Sequence, residues 1–342
     1  MSLKIAIVGT GKVAAESYLP QLVQHSDVML SYFNRTRAKA QILAEQFGGH
    51  VFDSLSDLMQ GNPDAVLVLT NETDRLQMAL ELLEFQPKRL FFEKPLVAKL
   101  GQASVSETDF LEAHALLERA HAIGTQTAMV FNYRFFEQTL KARALIRELD
   151  FGRSVHFTGL VHYACWSHCI DLMLEIMGSV QTVTALNSTT QRSVMGADGI
   201  SNVMAAFRFD NDASGTLIGT GEIDFRLPLF ELTFAFEHGR MTMRDLDGDL
   251  EVIDYRSARH ITHSLSRDCS RWDQYQASFG KSIAAYLDSV RTATPAPVPG
   301  LAGLRELQFA AALKRSINEA RPVVLEQDFP ISPTLIADSR QV

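Results

Sequence analysis

Six residues near the start of the chain, Gly9-Thr10-Gly11-Lys12-Val13-Ala14, constrain its fold more than any other stretch. They follow the apolar, β-branched run Lys4–Val8 and lead into a helical pattern over Ala14–Gln24. In such a GxGxxA turn the first glycine permits a tight bend and the second lets the backbone approach a pyrophosphate. The small third residue allows close helix packing. The helix N-terminus then faces the phosphates with unpaired N–H groups. Tight strand–helix turns of other kinds also need glycine, but here a second strand, Val28–Phe33, follows in the order a dinucleotide-binding βαβ unit requires. Gly9, Thr10, Gly11, Lys12 and Val13 are therefore candidate cofactor-binding residues.

The pattern continues in the same rhythm. Arg37–Phe47 reads as a helix, Ala65–Thr70 as a continuous apolar strand, Leu76–Phe85 as a helix and Arg89–Phe92 as a strand. Glu107–Ile123 is helical and Thr127–Phe131 is again a strand. Strands that are apolar on both faces, alternating with helices, imply a doubly wound parallel sheet. After about Arg153 the rhythm changes to one helix, Trp166–Met177, and a series of strand-like runs between Val180 and Tyr255 separated by Asn, Asp and Gly. That implies a mostly antiparallel sheet. Two helical segments, Gln274–Thr292 and Gly303–Ala320, flank the link TPAPVPG. The expected fold class is α/β: an N-terminal Rossmann domain over residues 1–131 and an α+β domain with a large open sheet over residues 132–342.

The bulk numbers narrow the partners. With 342 residues, a single small core is not the natural arrangement. A net charge of −8 with no basic stripe argues against nucleic acid as partner. No apolar run reaches the length of a membrane span, and the first residues enter a strand pattern at once, so neither a membrane nor a signal peptide is expected. Three cysteines do not make a disulfide framework, which points to a reducing, cytoplasmic setting.

The end of the second strand bears on the cofactor. NAD sites place Asp or Glu there for the ribose hydroxyls. This chain has Asn34-Arg35-Thr36-Arg37 instead, with no carboxylate to compete with a 2′-phosphate. Arg35 is suited to pair with that phosphate and stack on adenine, or else to form the solvated start of a helix with Arg37. NADP(H) is the favoured cofactor and NAD(H) the alternative.

Glu93-Lys94-Pro95 lies at the carboxyl end of a strand, where open α/β sheets bind ligands. Lys94 is a candidate proton carrier there, or, with Glu93, a surface ion pair. The stretch Val161–Met173, VHYACWSHCIDLM, holds histidines, cysteines and an aspartate together. At 100° per residue, Cys165, Cys169, Leu172 and Ile176 share an apolar face, whereas His168, Asp171 and Glu175 share an adjacent one. The cysteines and histidine do not converge, so no metal is expected. A histidine on that polar face is suited to hydrogen-bond a substrate oxygen, with Asp171 one turn on to orient it.

Taken together, VGTGKVA at 8–14, DAVLVLTNETD at 64–74, EKPL at 93–96, FNYRF at 131–135, SHCIDLM at 167–173 and GLRELQFAAALKRS at 303–316 resemble the Gfo/Idh/MocA family of nucleotide-dependent oxidoreductases over nearly the whole chain. The resemblance implies hydride transfer between NAD(P) and a carbon of a sugar, cyclitol or related polyol, and homo-oligomers (dimers or tetramers) formed through the C-terminal sheet. It places Lys94 beside the nicotinamide and the reacting hydroxyl, and assigns Thr70 and Asn71 to the cofactor loop after the third strand. It assigns His168 to the substrate site and Asp171 to an acidic position after it. Three positions depart from the family. Asn71 replaces a proline, Arg75 a histidine, and Ala164 the aspartate four residues before His168.

The expected activity is thus that of an NAD(P)-dependent oxidoreductase acting on a secondary alcohol or ketone. Lys94 and His168 are the candidate catalytic residues. Tyr133, Arg134, Trp166 and Asp171 are candidate substrate contacts, and Glu93 joins the cofactor set. Ala164 motivates two alternatives: a dinucleotide- or sugar-binding sensor without turnover, and a reductase of a non-sugar double bond.

Overall fold

A computed structural model describes residues 2–194, 197–264 and 269–339. The chain forms two compact units. The first runs up to Phe131 and includes Phe279–Leu307 and the segment from Ile331 onward; the second holds Asn132–Ser278 and Gln308–Pro330.

In the first unit the elements are β1 (Leu3–Val8), a π-helical turn Ala14–Tyr18 running into α1 (Leu19–Leu22), β2 (Val28–Phe33), α2 (Arg37–Phe47), β3 (His50–Val51) and α3 (Leu55–Gln60). They continue as β4 (Ala65–Val68), α4 (Glu72–Leu83), β5 (Arg89–Phe92), α5 (Glu107–Ala122) and β6 (Gln126–Met129). The sheet has the order β3-β2-β1-β4-β5-β6, all parallel. Order reverses at β1, which creates the crevice where such sheets bind ligands. Every residue of β4 and β5 is buried, as expected for central strands covered on both faces. The helix expected over 14–24 is interrupted: Pro20 has no N–H, and its ring would meet the Glu16 carbonyl in a regular α-helix, so the preceding turn is wound as π. The returning segment is fastened by Met129 N donating to Val298 O at 3.1 Å and by the Tyr286 hydroxyl donating to the Met129 carbonyl.

The second unit contains α6 (Glu137–Glu148), β7 (Ser154–His162), α7 (Trp166–Met177), β8 (Val180–Val194), β9 (Ala197–Phe209), β10 (Ser214–Thr220), β11 (Phe230–Phe236), β12 (Gly239–Arg244), β13 (Leu250–Asp254) and β14 (Arg259–His263). Helices α8 (Arg271–Arg291) and α9 (Gly300–Glu319) and strand β15 (Val323–Val324) follow. The nine-stranded sheet runs β14-β13-β12-β11-β7-β10-β9-β8-β15 and is antiparallel apart from β10–β7.

Register divides this sheet into rows. Ala185, Ala205, Leu217, Gly159, Leu232, Met243 and Leu250 are successive cross-strand partners, and the side chains of this row are buried. One residue along, Leu186, Met204, Ile218 and Leu160 are partners on the opposite face, each at least 41% exposed. An apolar row facing outward across neighbouring strands is the kind of surface that marks a contact site. Among the described residues no helix is long and apolar enough to cross a membrane.

Candidate active site

Gly9 adopts φ +97°, a conformation L side chains rarely take, and a Cβ there would lie 2.6 Å from Thr70 N. The turn after β1 is thus pressed against the loop after β4. A Cβ on Gly11 would meet nothing within 4 Å, so the second glycine leaves the approach to the helix start open. Asn34 at the end of β2 accepts from Thr10 N at 3.3 Å and donates to Thr36 O at 3.0 Å, tying the two strand ends together. The Thr10 and Thr70 hydroxyls flank this cradle, and both are buried without a hydrogen-bond partner among the described residues. Buried polar groups ordinarily find partners. Two orphan hydroxyls beside a glycine cradle fit a phosphate-bearing dinucleotide. Lys12 is exposed and pairs loosely with Glu16 at 3.8 Å, while Val13 is half-buried.

The arginines after β2 are not without carboxylates. Arg35 pairs with Asp74, in the first turn of α4, and Arg37 with Asp53, in the loop before α3. This corrects the expectation that nothing competes there: local sequence holds no acid, but the fold supplies two. Thr36 is exposed beside them.

Lys94 follows β5. Its backbone N–H donates to its neighbour Glu93 Oε2 at 2.8 Å, and its ammonium donates to Gln102 Oε1 at 2.9 Å. Glu93 is buried, and its other oxygen accepts from the Tyr18 hydroxyl at 2.8 Å. Gln102 N in turn donates to Glu72 Oε1 at 3.4 Å. Glu93 is therefore a bracket for the lysine's backbone rather than its surface ion partner. Asn71 is exposed and caps α4 only through its backbone. Arg75 is buried, its guanidinium donating to Thr70 O at 2.8 Å and to the Pro95 carbonyl. Neither Tyr18 nor Gln102 carried a sequence signal, since each acts through a partner distant along the chain.

In the second unit, α7 is buried on nearly all sides, His168 and Asp171 included. Cys165 and Cys169 are each 1% exposed and pack as small apolar groups, and burial pushes the Cys169 thiol up. His168 stacks flat on Tyr133, with ring centroids 4.0 Å apart and planes 5° from parallel. Tyr133 is itself buried, its hydroxyl donating to Cys165 Sγ at 3.3 Å and its ring set edge-on to Phe136. Both Asp171 oxygens accept from Arg134: Nε donates to Oδ2 and Nη2 to Oδ1, each at 2.7 Å. Arg134 also meets Glu175 at 3.3 Å, which pairs with Arg143 at the same distance. Burial pushes the Asp171 and Glu175 carboxyls up, and Arg134 pulls both back. Trp166 packs over β10, where a Cβ on Gly219 would come within 2.7 Å of its ring. Ala164 presents only a methyl group, and its N–H donates to His162 Nδ1 at 3.0 Å. Among the described residues no cluster of His, Cys, Asp and Glu is arranged to hold a metal.

That His162 contact has a pH consequence. Burial lowers the His162 pKa below its ordinary 6.5, so the folded state holds the neutral ring that caps the Tyr163–Cys165 turn. A base with a depressed folded pKa contributes stability above its unfolded pKa and loses it as pH falls through the folded value. Stability should therefore decline from pH 7 to 5 in the native chain. His162→Asn, which keeps an accepting cap atom but does not titrate, should decline less steeply in urea unfolding at the two pH values. Equal slopes would remove His162 from the account.

Comparison with known proteins agrees with the fold. Residues 3–118 match the Gfo/Idh/MocA oxidoreductase family, NAD-binding Rossmann fold. A myo-inositol 2-dehydrogenase of Thermotoga maritima is 21% identical over 95% of this chain and 99% of that protein. Among solved structures, an Agrobacterium radiobacter oxidoreductase in complex with NAD+, L-tartaric acid and magnesium superposes with a TM-score of 0.79 at 14% identity, covering 96% of this chain and 99% of its own. The WlbA dehydrogenase of Bordetella pertussis, in complex with NADH and UDP-GlcNAcA, gives a TM-score of 0.74 at 19% identity, covering 94% and 97%.

Proposed function

Because residues 3–118 belong to the Gfo/Idh/MocA oxidoreductase family, we propose that the chain is an NAD(P)-dependent dehydrogenase acting on a secondary alcohol or ketone of a sugar, cyclitol or related polyol. The observation that carries this reading is Lys94 at the carboxyl end of β5, on the same sheet edge as the glycine turn after β1. Support for the substrate class comes from relatives named for myo-inositol and found with a nucleotide sugar.

Gly9, Thr10, Gly11, Lys12 and Val13 would hold the pyrophosphate, Asn34, Arg35 and Thr36 the adenosine ribose, and Thr70, Asn71, Glu93 and Lys94 the nicotinamide side. When bound, the dinucleotide supplies the hydride acceptor for oxidation or the donor for reduction. Lys94, as the neutral amine, takes the hydroxyl proton during oxidation; as the ammonium it returns that proton during reduction. Gln102 steers the amine through its accepting oxygen. His168 hydrogen-bonds a substrate oxygen in this reading, with its ring plane set by Tyr133. Arg134 and Asp171 set that wall through each other, and Trp166 fills behind it. The outward apolar row Leu186–Met204–Ile218–Leu160 supports assembly into homo-oligomers through the C-terminal sheet.

NADP(H) is the preferred cofactor in this reading. The Arg35–Asp74 pair is exposed, at 68% and 42%, and surface pairs of that kind contribute little. A phosphate dianion offers Arg35 a bidentate partner that displaces Asp74. Fluorescence titration should show tighter NADPH than NADH binding. Asp74→Asn should widen the gap and Arg35→Ala should close it. Tighter NADH binding with an indifferent Arg35→Ala would overturn the preference.

Turnover is read by screening polyols, aldoses and nucleotide sugars at the reduced-nicotinamide absorbance band. Oxidation or reduction of at least one supports the dehydrogenase. Ala164 favours a second reading, a sensor, since no carboxylate stands there and Asp171 is committed to Arg134. Tight dinucleotide binding without turnover on any candidate selects it.

A further inference from the structure

We infer that Arg75 is a positioning residue that locks together the two loops on the nicotinamide side of the cofactor site. The inference rests on the dinucleotide reading above and adds a role to a residue outside the expected site. Arg75 is 3% exposed, and burial pulls its guanidinium down from the usual range. Buried arginines are uncommon because desolvating a fixed charge is costly. Its location adds to that cost. Arg75 lies in the first turns of α4, the end of the helix whose dipole disfavours a cation. Something at this site must offset both penalties.

The partners show what does. One amino group donates to Thr70 O at 2.8 Å, the other to the Pro95 carbonyl. Thr70 follows β4, and Pro95 follows β5 immediately after Lys94. The strands are direct neighbours in parallel register, Val68 opposite Phe92, but beyond those residues no ladder joins them. Arg75 continues the connection where the sheet ends. Glu93 and Glu72 face it and favour its charge. Those same two carboxylates reach Lys94 by separate routes: Glu93 through the lysine's N–H, Glu72 through Gln102 and the lysine's ammonium. The arginine thus bridges the two loops through carbonyls, while the carboxylates whose charge favours it also hold Lys94.

Only a planar fork suits this task. A guanidinium presents separated N–H groups at fixed angles and reaches two carbonyls at once. A lysine is a point charge on a similar stem, and an imidazole is shorter, with N–H groups pointing apart. With the strand order β2-β1-β4-β5, a dinucleotide crossing at the glycine turn lays its adenosine over β2 and its other half over β4 and β5. The clamp therefore acts on one half of the ligand.

The test separates the halves, using the full chain with NADH, NADPH and ADP-ribose as probes. In Arg75→Met, affinity for whichever reduced dinucleotide binds the native chain more tightly should fall roughly tenfold, the order expected for losing a charged hydrogen-bonding group, while ADP-ribose affinity changes less than about twofold. The emission of bound reduced nicotinamide should move toward that of the free cofactor. If Arg75→Met does not fold, Arg75→Lys retains charge and stem packing but not the fork, and the same split is expected. Parallel weakening of all three probes, or an unchanged dinucleotide affinity in a folded variant, overturns the inference. Failure of the native chain to bind any probe overturns the dinucleotide reading itself, and this role with it.

Discussion

Replacing Lys94 with methionine is expected to lower turnover by ~10²–10⁴-fold, the range that a positioned proton carrier contributes, with a far smaller effect on dinucleotide affinity. The substitution keeps an unbranched side chain on the same backbone, which Glu93 continues to hold through the lysine's N–H. The side chain's own hydrogen bond is to Gln102 and is part-buried, so its loss should shift stability only slightly. The decisive companion is Lys94→Arg. It preserves the positive charge but cannot release a proton near neutrality. If Lys94 works by moving a proton, arginine should be about as inactive as methionine. If it works only by placing a charge near the substrate oxygen, arginine should recover much of the rate. Initial rates at the reduced-nicotinamide band, with the best polyol or sugar from the screen, distinguish the two. Unchanged turnover in Lys94→Met would remove the lysine from the mechanism.

The parts of this molecule that could be read from sequence are those governed by local periodicity. The apolar run Ala65–Thr70 announced a strand covered on both faces, and the strand it forms, Ala65–Val68, is buried at every residue, as is Arg89–Phe92 beside it. Helices α2 and α7 begin and end where their patterns do, α2 stopping at Gly48 and α7 at Gly178. Short or polar elements escaped. Strand β3 has only two residues, and β14 is exposed along most of its length, so neither carries a period. Nor does a helical pattern announce that Phe279–Leu307 packs with the first unit, because amphipathicity marks a buried face without naming what covers it.

The site divides along the same line. Helical geometry set Cys165 and Cys169 on a packed face, and both are buried. It gave no way to see that Asp171 turns both oxygens to Arg134, 37 residues away, or that Tyr133 covers the His168 ring. Tyr18 and Glu93 are 75 residues apart, and Arg35 and Asp74 are 39 apart. A residue's own helix or strand fixes the direction of its side chain, whereas its partner is chosen by tertiary packing. Positions bound by backbone geometry, such as Gly9, are therefore readable in advance, and charge networks are not.

Those networks make Asp171→Ala the costliest stability change expected at the site. Asp171 is 1% exposed and Arg134 13%, and their paired 2.7 Å contacts are bidentate. Removing one member of a buried pair leaves the other charged and desolvated, a loss of about 3–5 kcal/mol. Glu175 does not make up the difference, since it lies 3.3 Å from Arg134 and is shared with Arg143 at the same distance. Urea unfolding should show a lower midpoint with an unchanged slope, the mark of altered stability rather than altered compactness. The double variant Asp171→Leu with Arg134→Met should be much less harmful than Asp171→Ala alone, because apolar groups of similar size replace a buried pair at little net cost. That inequality is the sharp part of the prediction, as independent sites would give additive losses. Recovery in the double variant would show that the pair fixes the geometry of the 132–135 turn against α7 rather than supplying bulk stability. The consequence should then appear in His168: the double variant folds, but the ring that Tyr133 holds flat is free to tilt. Its turnover should fall with its stability largely restored, whereas equal losses from the single and double variants would mean that the pair contributes only through packing.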